Sequence, residues 1–170
     1  MNTTHLIACA RADSPLGPIL LAATGQGLAG FWFEGQAHHP GTLAVPEVPD
    51  HPHIAQALRE LKEYWAGRRN GFDVPLDPRG TPFQRDVWQA LRRIPAGGTV
   101  SYAALANGIG RPAAVRAVGA AVGRNPISVI VPCHRVIGSS GHLTGYAGGL
   151  PRKTALLRLE RALPMLKEAA

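Results

Sequence analysis

A chain of 170 residues, 45% hydrophobic and 17% charged, has the make-up of one globular domain or two small ones, and these proportions exclude a disordered chain. Cys9 and Cys133 lie far apart with no CxxC or Cys/His ligand spacing around either, which argues against a disulfide scaffold and a structural zinc site. No apolar run approaches the length of a membrane span, and His5–Ala10 is too short and too weakly flanked for a signal peptide, so a cytoplasmic protein with no membrane contact is expected.

The net charge of +7 is unevenly placed. Residues 1–78 carry 5 Lys/Arg against 8 Asp/Glu (net −3), whereas residues 79–170 carry 13 against 3 (net +10). Such asymmetry fits a nucleic-acid-binding half joined to a neutral or acidic partner, the alternative being a solvated basic face without a ligand.

In chain order, Leu6–Ala10, Pro18–Ala23 and Leu28–Phe33 are short apolar runs separated by turn residues, and read as an antiparallel meander. Gly35–Pro52 reads as a loop; His38, His39, His51 and His53 within it are too loosely spaced to define a metal site. Ile54, Leu58, Leu61 and Trp65 recur at helical spacing up to Gly67, giving an amphipathic helix over the sheet. Phe72–Leu76 reads as a further short strand, and Asp77-Pro78-Arg79-Gly80 as a domain boundary.

Thr81-Pro82 then opens a helix with Phe83, Val87, Trp88, Leu91 and Ile94 as its apolar stripe, stopped by Pro95-Ala96-Gly97-Gly98. Ser101 caps a short helix, Gly108–Arg111 turns, and Pro112 opens another helix to about Gly123, a helix-turn-helix pattern. The second helix is made of small residues with one long polar side chain, Arg116. So thin a helix suits close approach even to a minor groove and has little with which to read base sequence; the alternative is that its small residues pack against Trp88.

Ile127–Val131 reads as a buried strand leading into Pro132-Cys133-His134-Arg135-Val136. Proline interrupts the ladder there, and a neighbouring imidazole and guanidinium could favour a thiolate; a free cysteine is equally often an inert buried hydrophobe. Gly138–Gly141 reads as a hairpin tip, and Gly145–Leu150 as a glycine-rich loop where backbone can approach a ligand. Pro151 opens a last helix with Leu156, Leu157 and Leu159 against the core, and Glu160 on it is either a surface ion pair or the partner of a histidine.

The motif Pro132–Val136, preceded by Arg116-Ala117-Val118-Gly119 and Asn125-Pro126 and followed by Gly145-Tyr146-Ala147-Gly148-Gly149, closely resembles the O6-alkylguanine-DNA alkyltransferases. The resemblance is strong from about Arg79 to Glu160. Over residues 1–78 it is one of general layout. It implies an α/β N-terminal domain resembling ribonuclease H (1–78), then a mainly helical domain with a winged-helix-like helix-turn-helix (79–163) and a short tail (164–170). Cys133 would accept the alkyl group irreversibly, with His134 and Glu160 as its relay through a water, Tyr102 donating a proton to the leaving guanine and Asn125 as the hinge. DNA contacts are expected from Arg116 (replacing the flipped base), Ala117, Gly119, Tyr102 and Arg124. The guanine pocket is expected at Val136, Tyr146, Ala147 and Gly148. Ala147 stands where some relatives have serine, which bears on tolerance for bulky adducts. No cofactor or metal is expected; the partner is duplex DNA containing O6-alkylguanine, bound by a monomer that can cluster along it.

Three rivals carry different expectations. A lesion-binding alkyltransferase-like protein would lack Cys133, a helix-turn-helix regulator would carry more base-reading side chains, and a Cys/His hydrolase would not need the basic half.

Overall fold

The computed structural model describes residues 5–162. Three antiparallel strands, β1 (Ala8–Ala12), β2 (Ile19–Ala23) and β3 (Leu28–Phe33), form the meander in that order. Alternation sends their side chains to two faces. Ala8, Ala10, Ile19, Leu21, Phe31 and Phe33 join the main core, while Cys9, Leu20, Ala22 and Trp32 form a second cluster under Leu6, Leu43 and Val45. Cys9 is thus a packing residue, with its thiol 3.7 Å from the Val45 carbonyl. The long loop pairs with β1 only at Glu47.

Helix α1 (Pro52–Trp65) covers the inner face with Ile54, Ala57, Leu61 and Tyr64. Leu58 and Trp65, expected on that stripe, are half-buried at its edge. The strand expected at Phe72–Leu76 reduces to one bridge between Leu76 and Leu28. The reason is local: the buried carboxylate of Glu60 takes the amides of Asp73 (2.8 Å) and Val74 (3.2 Å), leaving no ladder for them.

Helix α2 (Pro82–Leu91) begins at a capping box in which Thr81 accepts from Gln84 and Gln84 accepts from Thr81. A two-residue strand, β4 (Val100–Ser101), leads into α3 (Tyr102–Gly108), capped by Ser101. Gly110, at φ +70, makes the turn into a 3-10 segment (Pro112–Ala114) and α4 (Val115–Gly123). The small residues of this helix do pack inward, with Val118, Ala121 and Val122 buried, while Ala113, Arg116, Ala117 and Ala120 are exposed. Trp88 joins α2 to α4, its indole N–H donating to the Ala121 carbonyl at 2.9 Å.

The second half of the molecule departs from the expected pattern at three places. Ile127–Val131 is a buried turn instead of a strand; only Ile127 pairs, bridging to Phe31 on β3. β5 (Val136–Ile137) runs parallel to β4, so Gly138–Gly141 is a turn closed by Gly138 N–H to the His142 carbonyl and no hairpin forms. In α5 (Leu150–Leu159) Leu156 and Leu157 are fully buried, but Leu159 is 36% exposed because its position faces away from the core stripe. The tail expected over residues 164–170 lies outside the described residues. Among the described residues no helix is long and apolar enough to cross a membrane.

Candidate active site

The segment from Asn125 to Gly149 holds almost no regular structure, so its backbone groups need side-chain partners. Asn125, 4% exposed, supplies them: its Oδ1 accepts from Ile127 N–H (3.0 Å), and its Nδ2 donates toward the carbonyls of Val131 (2.8 Å) and Ile127 (3.3 Å) and toward the Cys133 thiol (3.1 Å). Those bonds wind the chain tightly enough to hold Val129 at φ +67. A β-branched residue is strained there by about 1–3 kcal/mol. Pro132 then starts a 3-10 turn, Cys133–Arg135.

The turn sends its three side chains to different places. Cys133, 4% exposed, lines a cavity of about 230 Å³. His134 points into the protein, its Nε2 2.9 Å from Glu160 Oε1. Arg135 turns away from the thiol. Its Nε and Nη2 form a bidentate pair with Glu160 (2.9 and 2.7 Å), and its Nη1 donates to the Ile94 carbonyl. The guanidinium expected to favour the thiolate therefore serves Glu160. Glu160 is no surface residue: its side chain is 2% exposed at the end of α5, and it also accepts from the Tyr64 hydroxyl at 2.7 Å.

The cation that does act on Cys133 is Lys153 of α5, fully buried, whose Nζ donates to the carbonyls of Val136 (2.6 Å), Thr144 (2.7 Å) and Gly145 (3.3 Å). Burial lowers its pKa to about 8. Burial likewise pushes the Cys133 thiol above its ordinary value, against the Asn125 hydrogen bond and the Lys153 charge, and it lowers His134. Glu160 is opposite in sense. Burial works against its charge, but hydrogen bonds from His134 and Arg135 outweigh it and hold the carboxyl at about 2. At rest the site thus contains a neutral thiol, a neutral imidazole and an ionised carboxylate. Since a carboxylate only accepts, Nε2 of His134 carries the proton, and Nδ1, which has no partner among the described residues, presents its lone pair.

Around the thiol, Tyr102 from α3, Gly119, Val122 and Gly123 from α4, and Gly145, Tyr146 and Ala147 from the glycine-rich loop wall the cavity. The tyrosine ring lies over Gly119, where an added Cβ would stand 3.7 Å from it. Burial raises the Tyr102 phenol, so it remains a protonated donor. Of the expected pocket residues, Tyr146 and Ala147 line the cavity. Val136 and Gly148 are buried behind it, Val136 through its carbonyl on Lys153 and Gly148 through its carbonyl on Arg152 (3.1 Å). Arg116 and Ala117 are exposed on α4, beside the half-buried Gly119. Arg124, exposed at the end of α4, lines a different cavity of about 440 Å³ between Trp32 and Trp88.

Sequence reasoning missed Lys153, Tyr64, the role of Arg135, and two residues of the first half, Ala37 and His38, that help wall the cavity. Lys153 carried a signal, because it precedes Leu156 and Leu157 by three and four residues and so shares their buried face. So did Tyr64, three residues after Leu61. His38 carried none. Its backbone at φ +61 and the bond from Ala37 N–H to the Ala147 carbonyl (2.9 Å) arise only from tertiary docking.

The molecule is thus a two-part protein in which a sheet and helix buttress a helical half holding one thiol at the wall of a small cavity. Residues 7–78 match the ribonuclease-like domain, and residues 82–162 the DNA-binding domain, of 6-O-methylguanine DNA methyltransferase. The methylated-DNA–protein-cysteine methyltransferase of Mycobacterium leprae is 48% identical over 92% of this chain and 93% of its own, and that of Mycobacterium tuberculosis is 51% identical over 88% and 90%. A crystal structure of Mycobacterium tuberculosis OGT in complex with DNA superposes with a TM-score of 0.82 at 48% identity, covering 92% of this chain and 94% of that one. The chain belongs to the 6-O-methylguanine DNA methyltransferase family.

Proposed function

We propose that this protein repairs duplex DNA by direct reversal, transferring the alkyl group of O6-alkylguanine irreversibly to Cys133. The observation that carries this reading is the sharing of one cavity by Cys133, Tyr102 and the small residues of α4, whose exposed face bears Arg116. In this reading residues 1–78 form the ribonuclease H-like domain and residues 79–163 the DNA-binding and transfer domain. α3, the Gly108–Arg111 turn and α4 act as a winged-helix-like helix-turn-helix that meets the minor groove through Ala117 and Gly119. Arg116 enters the stack in place of the extruded nucleotide, and Arg124 meets the backbone. The protein works in the cytoplasm as a monomer, and monomers cluster along DNA.

The chemistry follows from the resting charges. His134 Nδ1 takes the thiol proton through a water, Glu160 stabilises the imidazolium, and Asn125 and Lys153 stabilise the thiolate. Sulfur attacks the alkyl carbon, an S–C bond forms as the C–O6 bond breaks, and the electron pair leaves with guanine. Tyr102 supplies a proton to the departing base and is reprotonated at the expense of the imidazolium, so the thiol proton replaces the alkyl group overall. Nothing in this sequence regenerates the thiol, and each molecule acts once. The thiolate is made on demand, because burial keeps the thiol protonated in the resting protein.

Intact-protein mass after mixing with a duplex containing O6-methylguanine tests the reading. One added methyl, mapped to Cys133 and absent in Cys133→Ala, is expected. No gain, or an undiminished gain in the variant, overturns it. A lesion-binding role alone would leave the mass unchanged.

A further inference from the structure

On the reading just given, the part played by the first half of the chain remains to be accounted for. We propose that Tyr64, on α1, is a positioning residue for the transfer, its hydroxyl holding Glu160 and thereby setting how strongly Glu160 holds His134.

The geometry is specific. Tyr64 is 2% exposed, its ring is fixed between Trp65 and Phe72 (centroids 5.1 and 5.3 Å away), and its hydroxyl donates to Glu160 Oε1 at 2.7 Å. That same oxygen accepts from His134 Nε2 at 2.9 Å and from Arg135 Nη2 at 2.7 Å, whereas Oε2 accepts only from Arg135 Nε among these groups. Three donors on one carboxylate oxygen divide its acceptor strength. Burial and the charge of Glu160 drive the phenol far above its ordinary pKa, so Tyr64 can only donate. The first half of the chain thus places a single proton against the carboxylate that orients the imidazole.

The other charged groups that reach the pair are accounted for. Arg135 and the thiol of Cys133 come from the 3-10 turn, Lys153 comes from α5, and Tyr146, whose buried phenol stays protonated beside Cys133 and Tyr64, comes from the glycine-rich loop. The cleft that opens beside Tyr64 and Glu160 is also lined by Arg69 and Arg161. Arg69 is already engaged by Glu63 (2.8 Å) and Asp73 (2.9 Å). The turn after α2 contributes the Ile94 carbonyl, which accepts from Arg135.

Removing the Tyr64 hydroxyl concentrates the carboxylate on His134 and raises its affinity for a proton. Transfer needs the neutral imidazole, so the acid limb of the rate against pH is expected to move to higher pH in Tyr64→Phe, by about 0.5–1 unit. Single-turnover methyl transfer from the duplex, followed across pH, reads this directly. A purely structural role would lower the plateau and the melting temperature without moving the limb. In a Glu160→Gln background, Tyr64→Phe is expected to produce no further displacement.

If the wild-type protein takes up no methyl, the proposed function fails. If it transfers normally and the limb of Tyr64→Phe coincides with that of the wild type, the positioning role alone is overturned. A measurement on the unaltered protein is independent of how the variant folds: the Tyr64 hydroxyl proton is expected as a slowly exchanging NMR resonance that moves as His134 titrates. A freely exchanging or unresponsive hydroxyl also overturns the proposal.

Discussion

The helical run from Thr81 to Gly123 and the irregular run from Asn125 to Gly149 lie in the same half of the chain but are stabilised by different means. In the first, amides find partners within helices, the ends are closed by Thr81 and Ser101, and apolar residues at helical spacing make the core. In the second, Asn125 and Lys153 bond the run's backbone carbonyls, Arg135 ties it to the Ile94 carbonyl and Glu160, and the thiol sits among them. Regular structure gives the helical run its shape, but the Cys133 thiol is placed by buried polar side chains. Unpartnered, each would be costly to bury, so the site's geometry and its stability are bound together. Substitutions in the two runs are expected to differ accordingly.

The largest effect is expected at Arg135. In Arg135→Leu the buried Glu160 loses its bidentate partner, and removing one member of such a pair costs about 3–5 kcal/mol. The sign with pH follows from Glu160, whose pKa is lowered from 4.5 to about 2 in the folded protein. Its stabilising contribution is fully present above about 4.5 and is lost as pH falls toward about 2. Urea unfolding is therefore expected to show a gap between wild type and variant that is widest near neutral pH and closes through that window. A gap independent of pH would mean that Arg135 acts through packing alone.

Asn125→Asp is a smaller and more pointed change. It keeps the bond from Ile127 N–H but turns an acceptor toward the Val131 and Ile127 carbonyls and the thiol, at a cost on the order of 2 kcal/mol. It also replaces a donor to Cys133 with a negative charge, so thiolate formation is expected to need higher pH. Alkylation by iodoacetamide, read by peptide mass so that Cys9 is counted apart, measures this. An unchanged pH profile would show that Asn125 is structural and leaves the thiol untouched.

The contrast also explains what could be read from sequence. The meander, α1, the capped α2 and α3, and the two-faced α4 follow from spacing and caps, which are local properties. Ile127–Val131 has the composition of a strand, but an apolar run has no period by which to separate strand from buried turn, and here Asn125 and β3 take the bonds a ladder would need. Phe72–Leu76 failed for the same reason, with Glu60 as the competing partner. The resemblance pointed to Cys133, His134 and Glu160, of which the structure joins His134 to Glu160 and sets Cys133 at a cavity wall, yet the direction taken by Arg135 and the charge supplied by Lys153 depend on distances between elements that spacing does not encode.

The smallest effect is expected from the regular run. Thr81→Ala removes one half of the capping box of α2 and leaves the Gln84 amide without its side-chain partner, a loss of about 1 kcal/mol. Thr81 is exposed, and water can reach the freed amide, which keeps the cost low. Trp88 holds the far side of the helix on Ala121, so the frayed first turn is not expected to disturb α4 or the cavity. Melting temperature is expected to fall by a few degrees, about 2–8 °C, while the rate of methyl transfer below the transition is unchanged. A loss of transfer matching or exceeding the loss of stability would show that the cap reaches the reactive cavity through α4, and that the helical and irregular runs are less separable than their bonding suggests.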